Sequence, residues 1–211
     1  MKAVILEETR KIVVRDVPDA EIRATTDALL RLTSSAICGT DLHFYEGRMR
    51  GLEGQIIGHE PLGIAEEVGS AVRNVKKGDR VVVPTHICCG FCAMCAEGHS
   101  SACLTTNPGQ AGAAYGYPNK GGYQGAQTEL LRVPFADANG LKLPGEPGDG
   151  WEDDFVLLSD AFPTGQSRDW NHRRRSSGHG GDLWGGRCGF DGRIFGSSPG
   201  SGTRLFCGRN T

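Results

Sequence analysis

Four cysteines lie close together in the segment CCGFCAMCAEGHSSAC, in the pattern C-x2-C-x2-C-x7-C. Four thiolates can complete the tetrahedral shell of a zinc ion, and an all-sulfur shell is typical of structural sites. The spacing therefore predicts a structural zinc ion in a lobe spanning 86–104, with the ligands Cys89, Cys92, Cys95 and Cys103. Cys88 is excluded because two adjacent side chains cannot easily point at one ion. Buried thiols or a redox pair are the alternatives.

A second set of reactive side chains is spread over two motifs, ICGTDLHFYEG and GHEPLG. Cys38 and His59 are suitable zinc ligands, and a catalytic zinc ion needs three protein ligands and one open position. Thr40 could take a proton from an alcohol and His43 could pass it to solvent. Core packing is the alternative for a single Cys and a single His, but the company of Thr40, His43 and Glu60 favours a metal site.

The elements that must position these side chains are mostly short strands. Five segments are rich in β-branched residues and bounded by turn residues, namely KAVILEE, KIVVRDV, ALLRLTSSAIC, GIAEEVG and DRVVVPT. Helical periodicity is absent before about residue 150, so a mainly-β, barrel-like domain is predicted. Residues 138–150 are rich in Gly and Pro and indicate a loop or boundary. The following segment, WEDDFVLLSDAFPTG, indicates the start of a helix.

The composition changes after Gly165, although the net charge of the 211 residues is only −2. Residues 166–211 contain eight Arg, eleven Gly, six Ser and no Lys. Such a segment buries too little apolar surface to offset its ordering entropy, so a disordered tail is predicted. The sequence has no apolar run of transmembrane length and no signal-peptide pattern. We therefore expect a cytoplasmic protein with reduced cysteines and no membrane partner.

Together, the motifs resemble the zinc-dependent alcohol dehydrogenases of the medium-chain dehydrogenase/reductase superfamily. The matching motifs are C-G-T-D-x-H (38–43), G-H-E (58–60), G-D-R-V (78–81) and the four-cysteine lobe. The resemblance implies a GroES-like β-barrel catalytic domain over residues 1–157, the start of an interdomain helix at 158–165 and then a Rossmann domain. It also implies a small alcohol or aldehyde substrate, NAD or NADP as cofactor, and homo-oligomers.

The resemblance implies that Cys38 and His59 hold a catalytic zinc ion. Many members of the superfamily use a second Cys as the third ligand, but this chain has Asp160 in LSDAFPTG. In this it is similar to the glutathione-independent formaldehyde dehydrogenases and their relatives. A carboxylate is an acceptable zinc ligand and leaves the ion more Lewis acidic than a second thiolate would. A solvated helix residue is the alternative for Asp160.

The resemblance also implies roles for the residues around the metal. Thr40 and His43 form the proton relay and, with Gly39, contact the cofactor. Glu60 lies next to the metal and is assigned to the catalytic set.

The nucleotide-binding motif of a Rossmann domain, G-x-G-x-x-G between a strand and a helix, is absent after Asp160. If each codon is read from its second base, however, Trp184 must become Gly, and Gly186 and Gly189 permit Gly, which restores that spacing. The six preceding codons permit the strand DTVAIF. We therefore interpret residues from about Gln166 onward as a Rossmann domain read in the wrong frame. A genuine basic tail is the alternative, and a nucleic-acid-binding arm is not expected.

Two functional hypotheses follow from these observations. In the first, the chain is the catalytic-domain portion of a zinc-dependent, NAD(P)-linked alcohol or aldehyde oxidoreductase and is inactive alone. In the second, it is a non-catalytic zinc-binding β-domain fragment. A free-standing zinc-ribbon interaction module is disfavoured, because Cys38, His59 and the barrel strands would then have no explanation.

Overall fold

The computed structural model describes residues 1–167, and residues 1–166 form one compact unit. Residues 168–211 lie outside the described part of the chain. They include nearly all of the predicted disordered tail and all the glycines of the shifted frame. A final helical segment runs over residues 161–167. It includes residues 166 and 167, the first two positions of the segment that the composition predicts to be disordered.

Most regular structure in the described part of the chain is β. The strands are β1 (Lys2–Glu8), β2 (Lys11–Asp16), β3 (Ala28–Ser35), β4 (Gln55–Ile56), β5 (Pro61–Val68), β6 (Arg80–Val82), β7 (His86–Ile87), β8 (Ala113–Ala114), β9 (Leu130–Val133) and β10 (Leu141–Lys142). The helices are α1 (Gly39–Tyr45), α2 (Ala93–Ala96), α3 (Ala136–Asn139) and α4 (Glu152–Phe155), with 3-10 turns at Ser100–Ala102 and Val156–Leu158. The prediction of a mainly-β fold is confirmed.

The strands form three antiparallel sheets. Their orders are β2-β1-β4, β10-β6-β5-β3-β9 and β7-β8. In the five-stranded sheet, Leu30 of β3 lies opposite Ala65 of β5 and Leu131 of β9. These side chains are buried together with Val81 of β6 in the largest hydrophobic cluster. Alternating side chains of a strand point to opposite faces, so one face of this sheet supplies the main core.

The opposite face of the same sheet is also covered. Leu62 of β5 and Val82 of β6 form a second buried cluster with Leu143 and Val156. The segment 138–150 was predicted as a loop or boundary, but the structure shows that it contains the short strand β10. This strand pairs with β6 at the edge of the sheet. The packing of Val156 brings the chain back across the sheet just before Asp160.

Candidate metal centres

The predicted four-cysteine lobe is a compact cluster. One Sγ atom from each of Cys89, Cys92, Cys95 and Cys103 lies within 4.8 Å of the others. Among them, Cys92 Sγ is 3.4 Å from Cys95 Sγ and 3.9 Å from Cys103 Sγ. Three of the four thiols come from the turn around α2, and Cys103 follows the 3-10 turn. Four sulfurs that converge in this way fit a tetrahedral, closed zinc shell.

Backbone N–H groups surround the sulfurs of this lobe. The Cys89 N–H donates to Cys103 Sγ at 3.3 Å, and the Cys92 N–H donates to Cys89 Sγ at the same distance. Burial by itself raises the pKa of Cys103, but hydrogen bonds from Thr106, Thr105 and Cys89 outweigh burial and lower that pKa to about 6. The loop thus favours the thiolate, the form that binds metal.

Asn139, a buried residue that the sequence analysis missed, connects the lobe to α3 by hydrogen bonds. Asn139 Nδ2 donates to the Cys88 carbonyl at 2.8 Å, and Asn139 Oδ1 accepts from the Cys88 N–H at 3.0 Å. The side chain therefore pairs with one backbone residue as a neighbouring strand would. Cys88 itself lies outside the four-sulfur cluster.

The second cluster, called the mixed site below, brings together the residues predicted as catalytic ligands. Ligand atoms of Cys38, His59, Glu60 and Asp160 lie within 4.8 Å of one another. Asp160 Oδ2 is 3.6 Å from His59 Nε2 and 4.0 Å from Cys38 Sγ. Glu60 Oε1 is 3.9 Å from His59 Nε2. Three segments distant in sequence meet here, and each contributes a potential zinc ligand.

His59 is the most buried member of the mixed site, with a side chain 1% exposed. Its Nε2 atom has no hydrogen-bond partner among the described residues. Burial by itself lowers the pKa of His59, but Asp160, Asp41 and Cys38 outweigh burial and raise that pKa to about 12. Such surroundings favour a cation. An unpartnered nitrogen beside a thiol and a carboxylate fits the donor set of zinc.

Asp41, which the sequence analysis missed, links α1 to the mixed site. Its Oδ2 atom accepts the backbone N–H of Cys38 at 2.9 Å, and its Oδ1 atom lies 3.4 Å from His59 Nδ1. The first contact caps α1, whose capping box was the available sequence signal. The second orients the imidazole and leaves Nε2 facing Cys38 and Asp160.

Asp160 directs its Oδ2 atom toward the mixed site, and its Oδ1 atom is hydrogen-bonded to Thr164. Thr164 Oγ1 donates to Asp160 Oδ1 at 2.7 Å, and the Thr164 N–H donates to the Asp160 carbonyl at 3.0 Å. Attraction to His59 lowers the pKa of Asp160, although burial opposes this effect. The carboxylate therefore presents Oδ2 to the cluster.

The predicted relay residues lie on the solvent side of the mixed site. Thr40 Oγ1 is 3.7 Å from Cys38 Sγ. His43 is three residues further along α1, so both side chains share one face of that helix. His43 is exposed, and its Nδ1 atom lies 3.5 Å from the Arg48 guanidinium. A Cβ added at Gly39 would meet nothing within 4 Å among the described residues.

Glu60, a member of the mixed site, and Gly58 lie in the segment that immediately precedes β5. Glu60 is 3% exposed, and burial, followed by repulsion from Asp160, raises the pKa of its carboxyl group. Gly58 has φ of +91°, and a Cβ there would lie 2.5 Å from Gln127 Cγ. The turn that delivers His59 and Glu60 thus requires glycine.

Comparison with known proteins agrees with this geometry. Residues 24–144 match the family model described as the alcohol dehydrogenase GroES-like domain. This chain belongs to the alcohol dehydrogenase GroES-like domain family. The match contains Cys38, His59 and the four-cysteine lobe, so both clusters lie largely within the family's domain.

The chain is similar in sequence to a zinc-type alcohol dehydrogenase-like protein and to a formaldehyde dehydrogenase. The chain is 45% identical over 168 residues to the zinc-type alcohol dehydrogenase-like protein AdhB of Bacillus subtilis. This match covers 78% of this chain and 44% of AdhB. The chain is also 46% identical over 138 residues to the glutathione-independent formaldehyde dehydrogenase of Pseudomonas aeruginosa, covering 65% of this chain and 35% of that protein. The chain therefore spans less than half the length of these relatives.

A solved structure extends the likeness to the fold. The alcohol dehydrogenase TADH from Thermus sp. ATN1 is 35% identical, with a TM-score of 0.74, and the match covers 83% of this chain and 48% of that one. The predicted GroES-like architecture and the resemblance to zinc-dependent alcohol dehydrogenases are confirmed. Within residues 1–167, no helix has the length and apolar character needed to cross a membrane.

Proposed function

We propose that this chain is the zinc-binding catalytic-domain portion of an NAD(P)-linked alcohol or aldehyde oxidoreductase. We further propose Cys38, His59 and Asp160 as the ligands of a catalytic zinc ion, and the four-cysteine lobe as a structural zinc site. The observation that supports this most strongly is the unpartnered, buried Nε2 atom of His59, which faces a thiol and a carboxylate.

The residues around the mixed site would divide the chemical work. A bound zinc ion would supply Lewis acidity, which lowers the pKa of a substrate hydroxyl. Thr40 would accept the released proton at Oγ1 while its own hydroxyl proton passes on toward His43, which lies on the same face of α1 and would release a proton to water. Glu60 lies beside the proposed ligands as the fourth member of the mixed site, and Asp41 holds the imidazole of His59 in place.

Substrate would reach the mixed site past aromatic side chains. The Tyr117 ring lies 5.4 Å from the His59 ring and 5.9 Å from the Phe44 ring. Tyr117 also lines a cavity of about 350 Å³, together with Phe44, Met49 and Arg50. Tyr117, which the sequence analysis missed, thus lies against both the His59 ring and this cavity. We therefore propose that Tyr117 limits the size of the substrate.

The cofactor would approach the open side of α1, at Gly39, Thr40 and His43. Ile37 and Leu42 flank this side and are 71% and 54% exposed, which is consistent with a surface that another domain covers. We propose residues 1–157 as the catalytic domain, 158–165 as the start of the interdomain helix, and the frame-shifted segment from about Gln166 as the remnant of the nucleotide-binding domain. On this view the chain as written does not turn substrate over.

Metal content tests the proposal. The purified full chain should contain about two zinc ions, one in the four-cysteine lobe and one at the mixed site. Asp160→Ala should reduce this to about one, whereas Asp153→Asn, at an exposed position of α4, should leave it unchanged. A wild-type chain that holds one zinc ion, retained in Asp160→Ala, would contradict a catalytic site.

That outcome would instead support the second candidate, a non-catalytic zinc-binding β-domain. The sequence observation that favours it is the missing G-x-G-x-x-G motif after Asp160. Titration with NAD and NADP adds a further discrimination, because two zinc ions without nucleotide binding indicate a catalytic domain separated from its cofactor site.

A further inference from the structure

Thr85 lies where the segments that carry His59 and Asp160 meet. Its hydroxyl donates to the carbonyl of His59 at 3.1 Å. Its backbone N–H donates to the carbonyl of Ser159, the residue before Asp160, at 3.4 Å. Thr85 is 5% exposed, so both bonds are formed away from bulk water. One residue therefore connects the backbones next to two proposed ligands.

Thr85 is itself held from a third direction. Its carbonyl accepts the N–H of Tyr115 at 3.2 Å, and Tyr115 is 1% exposed within the main core. Two residues further along, Tyr117 packs against the His59 ring. The connection thus joins the mixed site to a rigid part of the fold, which is what a precisely shaped ligand set requires.

We propose that Thr85 is a positioning residue of the mixed site, whose hydroxyl sets the place of the His59 imidazole relative to Asp160. This inference rests on the proposed function, since it assumes that the mixed site binds zinc. Thr85 does not contact the ligand atoms. It acts through the His59 carbonyl, which would lose its buried donor if the hydroxyl were removed and would then shift toward another one.

The residue type separates this role from simple packing. Thr85→Val keeps the branched shape and removes the donor. Thr85→Ser keeps the donor and removes only a methyl group. If shape alone matters, valine is the milder change, whereas if the hydroxyl positions His59, serine is the milder one.

Cobalt(II) titration of the full chain, in competition with a chromophoric chelator, measures the affinities of both sites. Thiolate-to-cobalt absorption, stronger for four sulfurs than for one, assigns each affinity to a site. In Thr85→Val the mixed site should bind about tenfold more weakly, with the four-cysteine lobe unchanged. Thr85→Ser should stay within about twofold of wild type at both sites.

A matched variant controls for the loss of a buried threonine hydrogen bond. Thr106 is also 5% exposed, and its hydroxyl donates to the Ile87 carbonyl at 3.0 Å. Thr106→Val should leave the affinity of the mixed site unchanged, and only this site is compared, because Thr106 also hydrogen-bonds Cys103 in the four-cysteine lobe. If Thr85→Val does not fold, Thr85→Ala is compared with Thr85→Ser, and the same difference is expected.

Equal weakening of both sites, or an unaltered mixed site in Thr85→Val, would overturn the assignment of Thr85 while leaving the proposed function intact. A wild-type chain that binds cobalt only in the four-cysteine lobe would overturn both.

Discussion

The proposed zinc ligands are thiol, imidazole and carboxylate side chains. Neighbouring residues determine the protonation state of these groups and the direction in which they point. Cys103 receives hydrogen bonds that favour its thiolate, while Asp41 turns the His59 ring so that Nε2 faces Cys38 and Asp160. The two sites differ in what they do for the fold. A closed sulfur shell contributes its binding energy to folding, whereas an open site keeps a position free for chemistry.

This difference predicts unequal effects of two cysteine substitutions. Cys103→Ser should lower the melting temperature by roughly 10 °C or more, because a shell opened by one ligand loses binding energy that is also folding energy. Cys38→Ser should shift it by only about 3 °C or less. Thermal unfolding of both variants with zinc present provides the measurement, and equal losses would mean that the roles of the sites are misassigned.

The buried guanidinium of Arg80, on β6, binds the segment of the chain that connects β10 to the mixed site. Arg80 donates to both oxygens of Asp149, at 2.7 and 3.0 Å, and to Glu152 at 3.2 Å. It also lies 4.6 Å from the centre of the Phe155 ring. The bidentate pair is a strong form of ion pair, and it holds the turn and α4 that lead to Asp160.

Acid should loosen this connection in a defined pH range. The Arg80 guanidinium lowers the pKa of Asp149 from 3.8 to about 2. A carboxyl whose pKa is lower in the folded state stabilises the fold above about pH 4, and this contribution is lost as the pH falls toward about 2. Asp149→Asn should therefore be less stable than wild type at pH 7, and the difference should shrink below about pH 4.

Urea unfolding of wild type and Asp149→Asn between pH 7 and pH 3 measures that difference. Asp153→Asn, at an exposed position on the neighbouring α4, is the control and should show no such trend. A wild-type advantage that stays constant down to pH 3 would argue against the ion pair as its source.

For the molecule as a whole, the two proposed zinc sites should differ in how firmly they retain their ions. The four-cysteine lobe takes its ligands from one short loop, whereas the mixed site is assembled from three distant segments, which carry Cys38, His59 and Asp160. Dialysis against a mild chelator should first remove about one zinc ion, with Cys38 becoming accessible to a thiol reagent at the same time. Loss of both ions together would contradict this order.

The frame-shift interpretation predicts the activity of the entire chain. As written, it should show no measurable NAD(P)-dependent alcohol oxidation, because a hydride acceptor must be held within about 3–3.5 Å of the reacting carbon. The sequence after Asp160 lacks the G-x-G-x-x-G motif that would hold the pyrophosphate. Restoring the frame near codon 166 should recover nucleotide binding and turnover, and NAD-dependent turnover by the unaltered chain would disprove the interpretation.

Local patterns were enough to predict the four-cysteine lobe and five of the ten strands in residues 1–167, namely β1, β2, β3, β5 and β6. The four ligands lie between Cys89 and Cys103, so their spacing alone brings them together, and β1 has the bounds that its composition predicts. The mixed site required more, since Cys38 and His59 were candidates by residue type with core packing as the alternative, and Asp160 was singled out by a family resemblance. Their convergence in space depends on the packing of Val156 against β5 and β6.

The contributions of Asp41, Thr85, Asn139 and Tyr117 became visible only in the tertiary structure. Each acts through a partner distant in sequence. Asp41 and Tyr117 act through His59, Thr85 through His59 and Ser159, and Asn139 through Cys88. A sequence pattern reports spacing along one element, whereas these contacts depend on strand register and on which faces of the sheets are covered. Hydrogen bonds between separate segments form only after the hydrophobic core has set those segments side by side, so tertiary packing decided them.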